Sequence, residues 1–114
     1  MIDYKWRLVA DAETIANQCR DLGATAAYYA IKKKLETIKN EPISSYMVES
    51  LQIFFRSIPA AIIAQLDIDS LEERKSVYFK GTTGRSKFEQ IRSEIDSFNE
   101  FHFDHKHGLY KEEI

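Results

Sequence analysis

The stretch LVADAETIANQCRDLG, residues 8–23, repeats apolar residues with the spacing of an α-helix. Its apolar positions are separated by four, three, four and three residues, which places them on one face of a helix with 3.6 residues per turn. Gly23 follows the last of them, and glycine suits the left-handed backbone that ends many helices. The members of this stripe are Leu8, Ala12, Ile15, Cys19 and Leu22. We therefore predict an amphipathic helix that ends at Leu22.

Two further helices follow along the chain. The second begins at Thr25 and ends before Pro42, because proline disfavours helical geometry in the preceding residue. Ser44 and Ser45 are suitable N-caps for the third. The second stripe consists of Ala27, Ile31, Leu35 and Ile38. The third is predicted as Met47, Leu51, Phe54 and Ile58, widened by Val48 and Phe55.

Proline and two capping boxes divide the rest of the chain. Pro59 suits the first turn of a helix, so we predict a separate short buried helix over 59–66. The Ser-x-x-Glu motif at 70–73 predicts another helix, in which a short hairpin near 76–79 is the alternative for its SVYF part. The same motif at 86–89 predicts the start of the last helix. The apolar positions of that helix are Phe88, Ile91, Ile95 and Phe98, and their spacing continues to His102.

Strand alternation is nearly absent from the sequence, so the predicted fold is all-α. A chain of 114 residues is long enough for one domain with its own core. We predict a single-domain compact bundle of five or six helices, with a helical domain at 1–103 and a C-terminal tail at 104–114.

Composition and charge narrow the classes of function. The formal net charge is −2, so no overall charge attracts the chain to nucleic acid or to an anionic membrane. Cys19 is the only cysteine, which excludes an internal disulfide and a multi-cysteine zinc site. The apolar stretch at 57–66 is too short to span a bilayer, and charges interrupt residues 1–20. We expect a cytoplasmic protein without a signal peptide.

The segment FHFDHKHG, residues 101–108, contains all three histidines of the chain. His102 and His105 share a helix face, and Asp104 or His107 is a candidate third ligand, so a metal site is one interpretation. The glycine and the charged residues that follow indicate a fraying helix end instead. We therefore predict no metal site, with His102 partly packed and His105 and His107 in solvent.

Two basic segments suggest weaker hypotheses. The glycine-containing turn KGTTGRSK, residues 80–87, precedes a predicted helix start and is able to bind an anion, but it lacks the P-loop spacing. Lysines 32–34 form a basic run beside two tyrosines. Successive helical residues point about 100° apart, so these lysines spread around the helix rather than forming one nucleic-acid-binding face.

No constellation of nucleophile, base and orienting group is visible in the sequence. We therefore predict a non-enzymatic protein without a cofactor that binds a protein partner, of the inhibitor, immunity, antitoxin or adaptor type. The alternatives are a metal-dependent enzyme that uses the C-terminal histidines and a nucleic-acid-binding module that uses the lysine-rich helix. The oligomeric state is not predicted.

The aromatic content indicates where a partner would bind. Seven Phe, six Tyr and one Trp are more than one small core holds easily, so some aromatic side chains should stay exposed. Charges at Glu100 and Asp104 border one end of the predicted surface and could guide association. The predicted partner-binding residues are Tyr28, Tyr29, Lys32, Lys33, Tyr78, Phe101 and Phe103.

Overall fold

The computed structural model of the chain describes residues 4–66 and 84–112, and in the last helix it describes the side chains of residues 86–103. The described residues are all-helical and contain no strand, which confirms the predicted fold class. The helices are α1 (Tyr4–Leu22), α2 (Thr25–Asn40), α3 (Ser45–Gln65) and α4 (Gly84–Glu112). The segment 76–79, for which a short hairpin was the alternative to a helix, lies outside the described residues.

The described residues contain four helices, whereas the sequence pattern predicts five over the same ranges. The error arises at Pro59, which lies inside α3 and does not begin a new helix. Proline removes one backbone hydrogen bond from a helix interior. Packing compensates for that loss, because Ile58 and Ile62 continue one buried face across the proline. The helix predicted after the capping box at 70–73 lies outside the described residues.

Two predicted helix ends are confirmed. Gly23 has a φ of 91°, and its N–H donates to the carbonyl of Arg20 while the N–H of Ala24 donates to that of Cys19. This pair of bonds is the Schellman motif, which satisfies carbonyls that the end of a helix leaves free. Ser44 caps α3, because its Oγ accepts a 3.2 Å hydrogen bond from the N–H of Met47.

The last helix departs from its predicted start. It begins at Gly84, two residues before Ser86, so Ser86 lies in the first turn and is not the N-cap. The helix continues to Glu112 and includes most of the residues that were assigned to the tail 104–114. The division into a domain at 1–103 and a tail stays a prediction.

All four helices contribute to one core. Helix α1 packs against α2 and α4, and α3 packs against α2 and α4, so each helix has two main neighbours among the four that the structure describes. The predicted stripes of α1, α2 and α4 are buried as expected. The stripe of α3 differs from the prediction, because Met47 and Phe54 pack against the core but are only partly buried. The buried apolar positions of α3 are Val48, Leu51, Phe55, Ile58 and Ile62.

Helix α3 is also the one described helix whose length and apolar composition suffice to cross a membrane. Core helices of soluble proteins often meet the same criterion, so this property alone does not distinguish the two environments.

Candidate functional site

His102 lies at the end of the buried face of α4, one helical turn beyond Phe98. Its side chain is fully buried. The ring centroids of Phe98 and His102 are 4.3 Å apart, and that of Tyr4 lies 5.5 Å from His102. The prediction that His102 is only partly packed was therefore wrong. Helix α1 covers the position that the sequence analysis assigned to a fraying helix end.

Both ring nitrogens of His102 have hydrogen-bond partners on α1. Nδ1 lies 2.7 Å from the Tyr4 hydroxyl, and Nε2 lies 2.9 Å from Oδ2 of Asp11. A carboxylate only accepts hydrogen bonds, so Nε2 of a neutral His102 carries the proton and donates it to Asp11. Nδ1 then accepts from the Tyr4 hydroxyl. The polar atoms of a fully buried ring are thus satisfied, which is the condition for burying them without a large free-energy cost.

Arg7 connects this network to the surface. Its Nε lies 3.1 Å from the same Asp11 oxygen, and its guanidinium carbon lies 4.8 Å from the ring centroid of Phe101. The Phe101 ring also meets the His102 ring edge-on, with centroids 4.9 Å apart and planes at 86°. Phe101 nevertheless remains 39% exposed. Its ring is therefore contacted by two groups whose own positions are set by hydrogen bonds.

A cleft of about 280 Å³ opens between α1 and α4 beside this ring. Two carboxylates, one guanidinium, two hydroxyls and two aromatic rings surround it. The lining residues are Arg7, Asp11, Thr14, Glu94, Ser97, Phe98 and Phe101. One positive and two negative groups give the lining a formal charge of −1. Such a cleft favours a cationic or neutral group over an anion.

The order hydroxyl, imidazole, carboxylate formed by Tyr4, His102 and Asp11 resembles the arrangement that activates a nucleophile in many hydrolases. In that chemistry the imidazole must exchange a proton with a hydroxyl that substrate reaches. Here the imidazole is completely buried and both of its nitrogens are engaged within the fold. The arrangement therefore acts first as a connection between α1 and α4.

The same bonds bear on the metal hypothesis. A ligating histidine offers a free nitrogen, and both nitrogens of His102 are hydrogen-bonded. Within the described part of the chain, no group of three His, Cys, Asp or Glu side chains is arranged to hold a metal ion. The side chains of Asp104, His105 and His107 lie outside that part, as do most side chains of the turn at 80–87, for which anion binding was the weaker hypothesis.

The predicted partner-binding residues fall into two separate groups. Tyr29 is 68% exposed, and Tyr28 beside it is half-buried with the guanidinium of Arg20 5.7 Å from its ring centroid. Lys33 is exposed and Lys32 is half-buried on the next turn of α2. Tyr78 lies outside the described residues.

Phe101 and Phe103 form the second group, at 39% and 48% exposure. The groups contact α1 at Arg20 and at Arg7, which are about 20 Å apart along a helix that rises 1.5 Å per residue. The structure therefore does not join the two groups into one surface.

Sequence reasoning missed the three α1 residues of the network, which are Tyr4, Arg7 and Asp11. Their spacing of three and four residues places them on one helix face, and this was the available signal. Nothing local indicates that this face meets a histidine more than ninety residues away. The network could be identified only once α1 and α4 were known to be neighbours.

The single cysteine has the inward position predicted for it. Cys19 is fully buried, and burial raises the pKa of its thiol from 9.0 to about 12, because the thiolate is poorly solvated there. A protonated, buried thiol is a poor nucleophile.

No protein-family model matches this chain, and no significant similarity was found to a curated protein or to a solved structure.

Proposed function

We propose that the protein is non-enzymatic and acts by binding a protein partner, with the surface around Phe101 as a principal contact. The observation that supports this most directly is the exposed Phe101 ring, which Arg7 and the buried His102 contact beside an open cleft.

An aromatic side chain that is already fixed in place loses little conformational entropy when a partner covers it. Such rings commonly dominate the binding energy of protein interfaces. Phe101 has this character, because Arg7 is itself bound to Asp11 and His102 is bound to both Tyr4 and Asp11. The ring offers apolar area at a position that the unbound protein already maintains.

The adjoining cleft supports a protein as the partner. Aromatic walls with a few polar groups suit a single large side chain, and the excess of one carboxylate favours a basic one. A lysine or arginine of the partner, placed between Asp11 and Glu94, would be attracted by both carboxylates while its aliphatic part packs beside Phe98 or Phe101.

The test introduces the photocrosslinking amino acid p-benzoylphenylalanine in place of Phe101 in the cells that make the protein. This analogue keeps an aromatic ring at the site. We expect a discrete covalent adduct with a second protein after irradiation. The matched control carries the same amino acid in place of Glu36, an exposed residue of α2. An equal adduct pattern at both positions would show that contacts at Phe101 are random collisions.

A second variant separates binding from folding. Phe101→Ala removes the exposed ring and should weaken non-covalent co-purification of the partner that crosslinking identified, while the melting temperature changes little. Unfolding of Phe101→Ala, measured by circular dichroism, would identify Phe101 as a core residue and contradict the proposal.

A further inference from the structure

The outer face of α3 is exposed and carries no charge along its centre. Six exposed residues follow one another at intervals of four and three, which is the spacing of a helix-pairing seam. They are Tyr46, Ser50, Ile53, Ser57, Ala60 and Ala64. Tyr46 is 82% exposed and Ile53 is 60% exposed. The Ser57 hydroxyl donates to the carbonyl of Phe54 at 2.6 Å, so covering this position leaves no hydroxyl proton without an acceptor.

The only charged residues of α3 are Glu49 and Arg56. Both are exposed, and neither forms an ion pair with another described residue. They are seven residues apart, or about two helical turns, and so point in nearly the same direction along one edge of the seam. In seven-residue numbering they occupy equivalent flanking positions, whose charges set the orientation of paired helices.

We propose that the outer face of α3 pairs with the same face of a second copy of this chain, with the two helices antiparallel and a two-fold axis near Ile53. An antiparallel pair brings Glu49 of each copy beside Arg56 of the other. Parallel pairing at equal register would instead place Glu49 of the two copies at the same height along the helix pair, and Arg56 likewise, so neither would meet its opposite charge. The order of Glu49 and Arg56 along α3 therefore favours pairing with a second copy that runs in the opposite direction.

Side-chain size follows the same symmetry. Tyr46 lies seven residues before Ile53, and Ala60 lies seven residues after it. Antiparallel pairing about Ile53 therefore places the bulky Tyr46 of each copy against the small Ala60 of the other, while the two Ile53 side chains meet at the axis. A two-fold interface requires this kind of self-complementarity, since one patch must fit its own copy.

This inference goes beyond the proposed function, because it concerns α3 and not the Phe101 surface of α1 and α4. Failure of either proposal leaves the other standing. Helix α3 is about 30 Å long, so the contact would be small and the dimer weak, at the lower end of specific interfaces. A lipid surface is a poorer occupant, because Glu49 and Arg56 would then enter hydrocarbon without an opposite charge.

Sedimentation velocity of the full-length untagged protein tests the dimer. We expect the weight-average mass to rise reversibly from monomer toward dimer as concentration increases. Ala60→Glu should raise the dimer dissociation constant at least tenfold, because it buries a charge in the contact. Ala10→Glu, the same change at an exposed alanine of α1, should leave the dissociation constant unchanged. A monomer at every concentration, or equal effects of both variants, would overturn the proposal.

Charge reversal tests the orientation. Glu49→Arg and Arg56→Glu should each weaken the dimer about tenfold at low salt, because each places like charges together twice. The double variant E49R/R56E restores opposite charges across the axis and should recover the wild-type dissociation constant. A double variant no better than the single ones would overturn the antiparallel register. Co-sedimentation of wild type, but not Ala60→Glu, with phosphatidylcholine–phosphatidylglycerol vesicles would assign the face to lipid instead.

Discussion

His102 of α4 and Ile53 of α3 reverse the usual rule that apolar residues are inside and polar ones outside. The imidazole is completely buried, whereas the isoleucine is 60% exposed. His102 lies on the side of α4 that faces α1, where Tyr4 and Asp11 satisfy both of its nitrogens. Ile53 lies on the side of α3 that is turned away from the core.

The comparison shows that the position of a side chain relative to the neighbouring helices decides whether these two residues are buried, and that their polarity matters less. A polar group can be buried if its hydrogen bonds are made inside the fold. An apolar residue can remain in water if no described helix covers its face, and such a face is available for a partner. The two regions should respond in opposite ways to substitution.

The largest contrast is expected between two isoleucines. Ile91 is completely buried on α4, so Ile91→Ala should lower the free energy of unfolding by about 2–5 kcal/mol through lost burial and a residual cavity. Ile53→Ala removes the same atoms from an exposed position and should change the free energy of unfolding by less than about 0.5 kcal/mol. Urea denaturation, at concentrations where the protein is monomeric, measures both. Similar losses from the two variants would mean that the outer face of α3 is not solvent-exposed.

A somewhat smaller contrast is expected between neighbours on α4. His102→Ala should cost about 3 kcal/mol, because it opens a cavity beside Phe98 and removes both hydrogen bonds to α1. Phe103→Ala, at a residue that is 48% exposed, should cost less than about 1 kcal/mol despite removing a larger apolar ring. Thermal and urea unfolding check this order. A more costly change at Phe103 would contradict the assignment of His102 to the core.

A hydroxyl deletion isolates one bond of the network. Tyr4→Phe keeps the ring and removes the group that bonds Nδ1 of His102, so it should cost about 1 kcal/mol. Tyr46→Phe on α3 is the matched control. The Tyr46 side chain is 82% exposed, so deleting its hydroxyl leaves no buried polar atom without a hydrogen-bond partner. If both variants unfold at the wild-type urea concentration, the Tyr4–His102 bond contributes nothing net to stability.

Cys19 should have the smallest effect near neutral pH. Its pKa of about 12 in the folded state exceeds the value of 9.0 expected when it is unfolded. The unfolded chain therefore loses this proton first as pH rises, so the thiol's contribution to stability is complete below pH 9 and declines between 9 and about 12. Iodoacetamide at pH 8 should alkylate the native protein much more slowly than the urea-unfolded protein. Equal rates would show that the thiol is accessible in the native state.

Local pattern predicted much of this fold. The stripes of α1, α2 and α4 were identified from spacing alone, and Gly23 and Ser44 were identified as helix ends from their own backbone and hydroxyl chemistry. The register of α3 was predicted less well, because that helix is apolar on more than one face. The continuous helix through Pro59 was missed because the compensation comes from packing and not from the local sequence.

The exposed positions of Phe101, Phe103 and Tyr29 agree with what aromatic excess predicted, although exposure does not test whether a partner binds them. The cleft beside Phe101 and the contacts of Arg7 were not predicted. These features depend on the distance between α1 and α4, and the spacing of apolar residues along one helix does not predict that distance.

The sequence by itself determined the approximate positions of most helices and the apolar faces of α1, α2 and α4, because 3.6-residue periodicity and capping act over only a few residues. Tertiary structure alone decided which faces meet. Gln65 of α3 illustrates this, since its Oε1 accepts from the N–H of Ala26 at the start of α2, where Ala24 has no side chain to cap it. His102 illustrates it again with partners 98 and 91 residues away. Such bonds form only after helices pack, because their geometry is set by the distances between helix axes and not by positions along the chain.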